Sequence, residues 1–126
     1  MKAKRRFAEE VLDAIRNGTM LGIRAGRQPH RFIGIWAVVV DGRVFVRSWS
    51  LKPRSWYRTF LEEPQGAVQV SGREIPVRAV RTRSERLKDA IDRAYLDKYS
   101  SPGSVRFARD LGRAKSRATT TELVPR

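Results

Sequence analysis

Cysteine is absent from the 126 residues, which removes disulfides, thiolate metal sites and cysteine nucleophiles together. That absence fits a reducing cytoplasm. Histidine occurs once, as His30, in a turn-rich connector, Ala25 to Arg31, with no Asp or Glu near it in sequence. It reads as a surface residue rather than a metal ligand or a base. Long hydrophobic runs are missing too. The longest, Ile33 to Val40, has the length of a strand, well below the ~18–20 residues of a membrane span. The opening MKAKRRFAEE is basic but no apolar core follows it, so a secretory leader is not expected and a cytoplasmic protein is. Acidic residues are few: 13 against 27 Lys and Arg, a net charge of +14. A field of that sign draws nucleic acid, anionic lipid or phosphorylated small molecules, or else simply keeps an Arg-rich surface solvated. Finally, no Walker-type loop, GxGxxG, HExxH, GxSxG or EF-hand pattern occurs, and the carboxylates offer no metal-ligand spacing. No paired acid and base and no hydrolytic nucleophile stand out, so any enzyme chemistry falls to a cofactor.

Apolar residues make up 40% of the chain, with three Trp, three Tyr and five Phe, enough for one folded domain with a single core. The stretch from Ile33 to Pro64 organises it. Asp41-Gly42 between two β-rich runs predicts a hairpin, because a type I′ turn needs positive φ at both central residues. Ile33–Val40 is apolar on both alternating sets, which predicts burial of both faces. In the next strand Val44 and Val46 point one way, and Phe45, Arg47 and Trp49 the other. Ser48 and a loop with Lys52 and Arg54 lead to a helix capped by Ser55, with Trp56 and Phe60 facing the core and Pro64 ending it. Cations, a hydroxyl and free backbone N–H groups at one strand–loop–helix corner form a plausible phosphate cradle; a solvated loop is the plainer alternative.

Around that stretch the chain predicts an opening helix with Phe7, Val11, Leu12 and Ile15 on one face and a left-handed cap at Asn17-Gly18. Met20–Arg24 reads as a strand. Gly66–Ser71 and Glu74–Arg81 form a hairpin around Ser71-Gly72, and Pro76 implies an edge or a bulge. A helix capped by Thr82 or Ser84 carries Leu87, Ile91, Ala94, Tyr95 and Tyr99 as its apolar stripe, with Asp89 and Arg93 paired opposite. Ser101-Pro102 restarts a helix bearing Val105, Phe107 and Leu111, with Arg106, Arg109 and Arg113 along one side, and Ala118–Val124 closes as a strand. About six strands with short helices predict a closed or partly closed antiparallel barrel in one α+β domain. Its parts are an N-terminal helix at 1–18, the main barrel strands at 20–81, a helical insertion at 82–115 and a closing strand at 117–124.

Several segments together resemble a domain-of-unknown-function family of short bacterial proteins grouped with the FMN-binding split-barrel superfamily. They are Trp36-Ala37-Val38-Val39-Val40-Asp41-Gly42, Val44-Phe45-Val46-Arg47-Ser48, Ser55-Trp56-Tyr57, Ile91-Asp92-Arg93-Ala94-Tyr95, Lys98-Tyr99, Ser101-Pro102, and Ala118-Thr119 through Pro125-Arg126. The chain is also similar to deazaflavin-dependent nitroreductases, in the Gly26-Arg27 and Arg31 connector and the Trp56–Pro64 helix. It is similar to pyridoxamine-phosphate oxidases in the strand end and basic loop, although Pro53 separates Lys52 from Arg54. The resemblance implies a six-stranded antiparallel split β-barrel with peripheral helices. It also implies a homodimer with FMN or a deazaflavin at the subunit interface, and a flavin-type oxidoreductase activity. By position it implies Arg47, Ser48, Lys52 and Arg54 at the phosphate, with Trp36, Trp49 or Trp56 against the ring system. Two alternatives remain, a nucleic-acid-binding basic module and a split barrel without cofactor in a structural or small-ligand role.

Overall fold

The computed structural model describes residues 5–126. Twelve elements follow in chain order. Helix α1 is Glu9–Asn17, followed by β1 (Leu21–Ala25), β2 (Ile33–Ile35), β3 (Ala37–Val40) and β4 (Arg43–Val46). Then come α2 (Trp56–Glu62), β5 (Gln65–Val70), β6 (Arg73–Arg81), α3 (Glu85–Lys98), α4 (Val105–Leu111), α5 (Ala114–Arg117) and β7 (Thr121–Pro125). Of the opening segment read as a helix over 1–18, residues 1–4 lie outside the described residues.

The strands form one antiparallel sheet in the order β2-β1-β5-β6-β7-β4-β3. Its two ends, β2 and β3, are consecutive in the chain and separated only by Trp36. One bent strand therefore pairs with β1 through Ile33–Ile35 and with β4 through Ala37–Val40, and this nearly closes the sheet into a barrel. The sequence suggests six strands and the structure has seven because the run Ile33–Val40 divides at this bend.

Alternation along the strands sorts side chains to two sides. Leu21, Ile23, Ile35, Ala37, Val39, Val44, Val46, Val68, Val77 and Leu123 fill the interior. Phe7, Val11, Leu12 and Ile15 of the N-terminal region join this cluster, and so do Trp56 and Phe60 of α2. The opposite set on β3 and β4, Val38 and Phe45, packs under Ile91, Tyr95 and Tyr99 from α3 and its end and Ala108 and Leu111 of α4. The core is thus double: a filled barrel, and a helical layer over one wall.

Both hairpin turns have the expected geometry, with positive φ at Asp41 and Gly42 and at Ser71 and Gly72. Ser55 and Ser84 cap their helices by accepting from the backbone N–H groups of Arg58 and Leu87. Other expectations need correcting. Gly18 is extended rather than left-handed, because the chain leaves α1 directly toward β1. Ile33 is 38% exposed and Gly34 is exposed, so only the Ala37–Val38 end of that run is buried. Pro76 lies in an interior strand, not at an edge. Its carbonyl accepts from the N–H of Arg126 on the β7 side, beyond the last β6–β7 register pair, so little of the ladder depends on its missing donor. Phe107 is 41% exposed, and Ala108 takes the core position in its place. Helix α4 ends at Leu111, so Arg106 and Arg109 lie on it while Arg113 already precedes α5. Asp89 pairs with Arg117, not Arg93.

Candidate functional site

The bend at Trp36 interrupts the ladder where the strand changes partner, and a broken ladder leaves polar backbone groups that must be satisfied. The C-terminal end of α3 does this. The Tyr95 hydroxyl donates to the carbonyl of Trp36 (3.1 Å), the N–H of Ala37 donates to the Tyr99 hydroxyl (3.3 Å), and Lys98 Nζ donates to the Ala37 carbonyl (2.7 Å). Tyr99 donates in turn to the carbonyl of Thr19 (2.7 Å) and Lys98 to that of Ile15 (2.7 Å), tying α1 and its connection to β1 to the same point. Burial pushes the Tyr99 phenol up to about 12 and the Tyr95 phenol higher still, so both stay protonated near neutral pH and serve as fixed hydrogen-bond donors. Burial brings the Lys98 ammonium down to about 8.

Held at this bend, the Trp36 ring stacks on Tyr99 with centroids 3.8 Å apart and planes at 2°, and meets the edge of Trp49 at 5.5 Å. Trp49 is 43% exposed and Leu51, beyond it, 41%. The loop continues through Lys52 and Arg54, both exposed. Its backbone is ordered by short bonds: Ser48 Oγ donates to Ser50 O (2.7 Å), the N–H of Lys52 donates to Ser50 Oγ (3.2 Å), and the N–H of Ser55 donates to Lys52 O (2.9 Å). An exposed indole on an aromatic stack, followed by two cations with no ion-pair partner among the described residues, can receive a planar anionic molecule.

The residues singled out from sequence part company here. Arg47 is buried just past the end of β4, on the side of Phe45, and its guanidinium points into the helical layer. Nε donates to Thr120 Oγ1 (2.9 Å), one terminal nitrogen to Asp92 Oδ1 (2.5 Å) and Leu111 O (2.9 Å), and the other to Lys88 O (3.1 Å). Four of the five N–H donors of an arginine are thereby engaged within the protein. Ser48 is buried as well, its N–H donating to Thr119 Oγ1 (2.8 Å). Trp56 packs edge-on against Phe60 and Tyr57 beside the barrel interior, with no ring contact to Trp36. The structure brings Trp36 and Trp49 together, and Lys52 and Arg54 onto the same loop. Arg47 and Ser48 form the stem of that loop.

Sequence reasoning missed Asp92 and Arg117. Asp92 bridges the two arginines, Oδ1 to Arg47 and Oδ2 to Arg117 (2.6 Å), and Arg117 also reaches Asp89 and Glu85. In the sequence Arg117 is one more cation beyond the Arg106, Arg109 and Arg113 stripe, and only the fold shows that three carboxylates from α3 neutralise it. Lys98 was likewise unmarked, since nothing in its neighbours announces two carbonyl partners. Among the described residues no group of His, Asp and Glu could hold a metal ion, and no helix is long and apolar enough to cross a membrane.

These features define an α+β protein built on a nearly closed antiparallel barrel, with one wall under helices and an aromatic–basic corner at its loop. Residues 11–123 match the model of a family described as an uncharacterized protein conserved in bacteria (DUF2255), and the chain belongs to that family. No curated protein matches it. Among solved structures it is similar to the crystal structure of the conserved hypothetical protein Rv2991 from Mycobacterium tuberculosis, at 13% identity and a TM-score of 0.57. The match covers 98% of this chain and 82% of the other. At that identity the likeness concerns the fold alone.

Proposed function

We propose that this protein binds a flavin-type cofactor, FMN or a deazaflavin, at a homodimer interface, and acts through it as an oxidoreductase. The observation that carries the reading is the Trp36–Trp49 aromatic shelf with Lys52 and Arg54 on the adjoining loop. The barrel architecture and the resemblance to the FMN-binding split-barrel superfamily support it. Trp49 and Trp36 would lie against the ring system, and Lys52 and Arg54 would hold the phosphate. Arg47 and Ser48, placed at the phosphate by that resemblance, would instead keep the loop stem in place, and Trp56 would stay with the core. A bound flavin supplies hydride transfer; the chain supplies binding and orientation. A second copy is suggested by the exposed apolar residues Met20, Ile33, Trp49 and Leu51, a set a monomer would leave wet.

The test is titration of FMN and of a deazaflavin against the purified protein, followed by fluorescence, with absorbance of the fresh protein read in the flavin region. Micromolar binding is expected, with loss of about tenfold or more when Lys52 and Arg54 are both changed to Glu. Absence of binding by either at tens of micromolar would sink the reading. A second reading, nucleic-acid binding, is favoured by the net charge of +14 and by Arg106 and Arg109, which form no ion pair among the described residues of α4. It predicts affinity falling steeply with salt. Failure of both would leave a cofactor-free barrel.

A further inference from the structure

Next to the aromatic corner, whose Tyr99 lines one of them, two adjoining clefts lie between the C-terminal ends of α1 and α3, one of about 350 Å³ and one of about 230 Å³. Arg16 and Lys98 line both, so the two clefts meet at these side chains. The two clefts differ in chemistry. The larger is lined by Val38 and Val39 at the free edge of β3 and by Ala94 of α3, with Asp97 as its remaining charged wall. The smaller is lined by Asn17, Ser100, Ser101 and Ser104, whose side chains have no hydrogen-bond partner among the described residues.

Lys98 decides what the pair of clefts can take. An ammonium has three donors, and two are fixed on the carbonyls of Ile15 and Ala37 at 2.7 Å each. The third has no hydrogen-bond acceptor among the described residues; the nitrogen, 5.2 Å from the Tyr99 ring centroid, is already held in place, so little ordering is needed on binding. Arg16 adds donors but less net charge, because one terminal nitrogen is bonded to Glu9 (3.0 Å) and Asp13 (2.6 Å). Asp97 disfavours an anion in the apolar cleft. Charge therefore belongs in the serine-lined cleft and carbon in the valine-lined one.

We propose that the two clefts are one binding site for a small amphiphilic carboxylate, a short acyl or aryl acid. Its head accepts from Lys98 and the serine hydroxyls, and its tail lies over Val38, Val39 and Ala94. The combined size falls in the range of small-molecule sites, ~300–1,000 Å³. This site adjoins the Trp36 stack through Tyr99 but uses other cations than the flavin reading, and it does not depend on that reading.

The probe is octanoate, titrated into the wild-type chain while valine methyl and backbone amide shifts are followed by NMR, with acetate, octanol and inorganic phosphate as comparators. Saturable shifts are expected at Val38, Val39 and Lys98, with octanol and acetate each at least about tenfold weaker, since each lacks one of the two recognised halves. Ala94→Leu fills the apolar cleft and should weaken octanoate about tenfold while leaving the weak acetate response unchanged. Lys98→Met should weaken octanoate toward the octanol level. If that variant fails to fold, the wild-type comparison of octanoate with octanol still reads the head group. No saturation by about 10 mM octanoate, equal binding of octanol, phosphate binding as tightly as octanoate, or shifts centred on Trp49 would each overturn the proposal.

Discussion

Arg47 is an expensive side chain to bury and therefore an informative one. Its charge leaves water only because Asp92, Thr120 and two carbonyls replace the solvent, and Asp92 is shared with Arg117. Removing it strands the carbonyls of Leu111 and Lys88 and leaves Asp92 to Arg117 alone, so Arg47→Ala should lower stability by about 3 kcal/mol, read from the urea midpoint. Arg47→Lys should recover little, because an ammonium cannot reproduce the planar fork. The position was legible in part: alternation places Arg47 on the face of Phe45, and that face is the one the apolar stripe of α3 must cover. What sequence could not supply was the identity of the acceptors, which come from residues 41 to 73 positions away. Lys98 gives a pH test of the same kind. Its folded value of about 8 lies below the ordinary 10.5, so between those values the unfolded chain holds a proton that the folded chain has released. Stability contributed through Lys98 should therefore rise with pH from about 8 to about 10.5. Thermal melts of wild type against Lys98→Met across that window check the sign; a difference that stays flat would contradict it.

At the level of elements, the informative place is the join of β2 and β3. Periodicity read Ile33–Val40 as one continuous strand, and the inward and outward sets do run through it without a slip. The bend itself was invisible, because it arises from the strand pairing with β1 on one side of Trp36 and β4 on the other. Helix starts and hairpin turns were legible, since a capping serine or an Asp-Gly pair carries its own local physics. Helix ends read less well. Close approach of elements also escaped sequence: α2 sits so near β5 that a Cβ at Gly66 would lie 2.8 Å from Phe60 Cε1 and would crowd the carbonyl of Arg24 as well. Gly66→Ala should cost on the order of 2 kcal/mol through overpacking, measured by chemical denaturation. A wild-type-like midpoint would mean that α2 shifts freely.

For the whole molecule, charge and shape pull in different directions. A net charge of +14 keeps copies apart, while Met20, Ile33, Trp49 and Leu51 offer apolar surface to a partner. If the second copy covers that surface, light scattering should give the mass of a dimer, and Ile33→Asp should shift the population to monomer by about tenfold or more in dissociation constant. A monomer in the wild type at tens of micromolar would remove the homodimer from the functional reading. Barrel class was legible in the strand pattern because alternation and turns report on sheets directly. Ligand chemistry was less so, because a cation's role depends on whether the fold leaves its donors free. It frees those of Lys52 and Arg54 and occupies those of Arg47.

The position of β7 also bears on how the chain reaches its native state. The last strand in sequence lies between β6 and β4, in the middle of the sheet. Until it arrives, the hairpins β3–β4 and β5–β6 each expose an unpaired edge, and no arrangement of the preceding residues can join them into the native ring. Assembly should therefore be a late, concerted event dominated by distant contacts, slow by the standard of a chain this short. The open edges are the species most at risk of pairing with another chain. Refolding yield should then fall with protein concentration well before the native protein shows any tendency to aggregate.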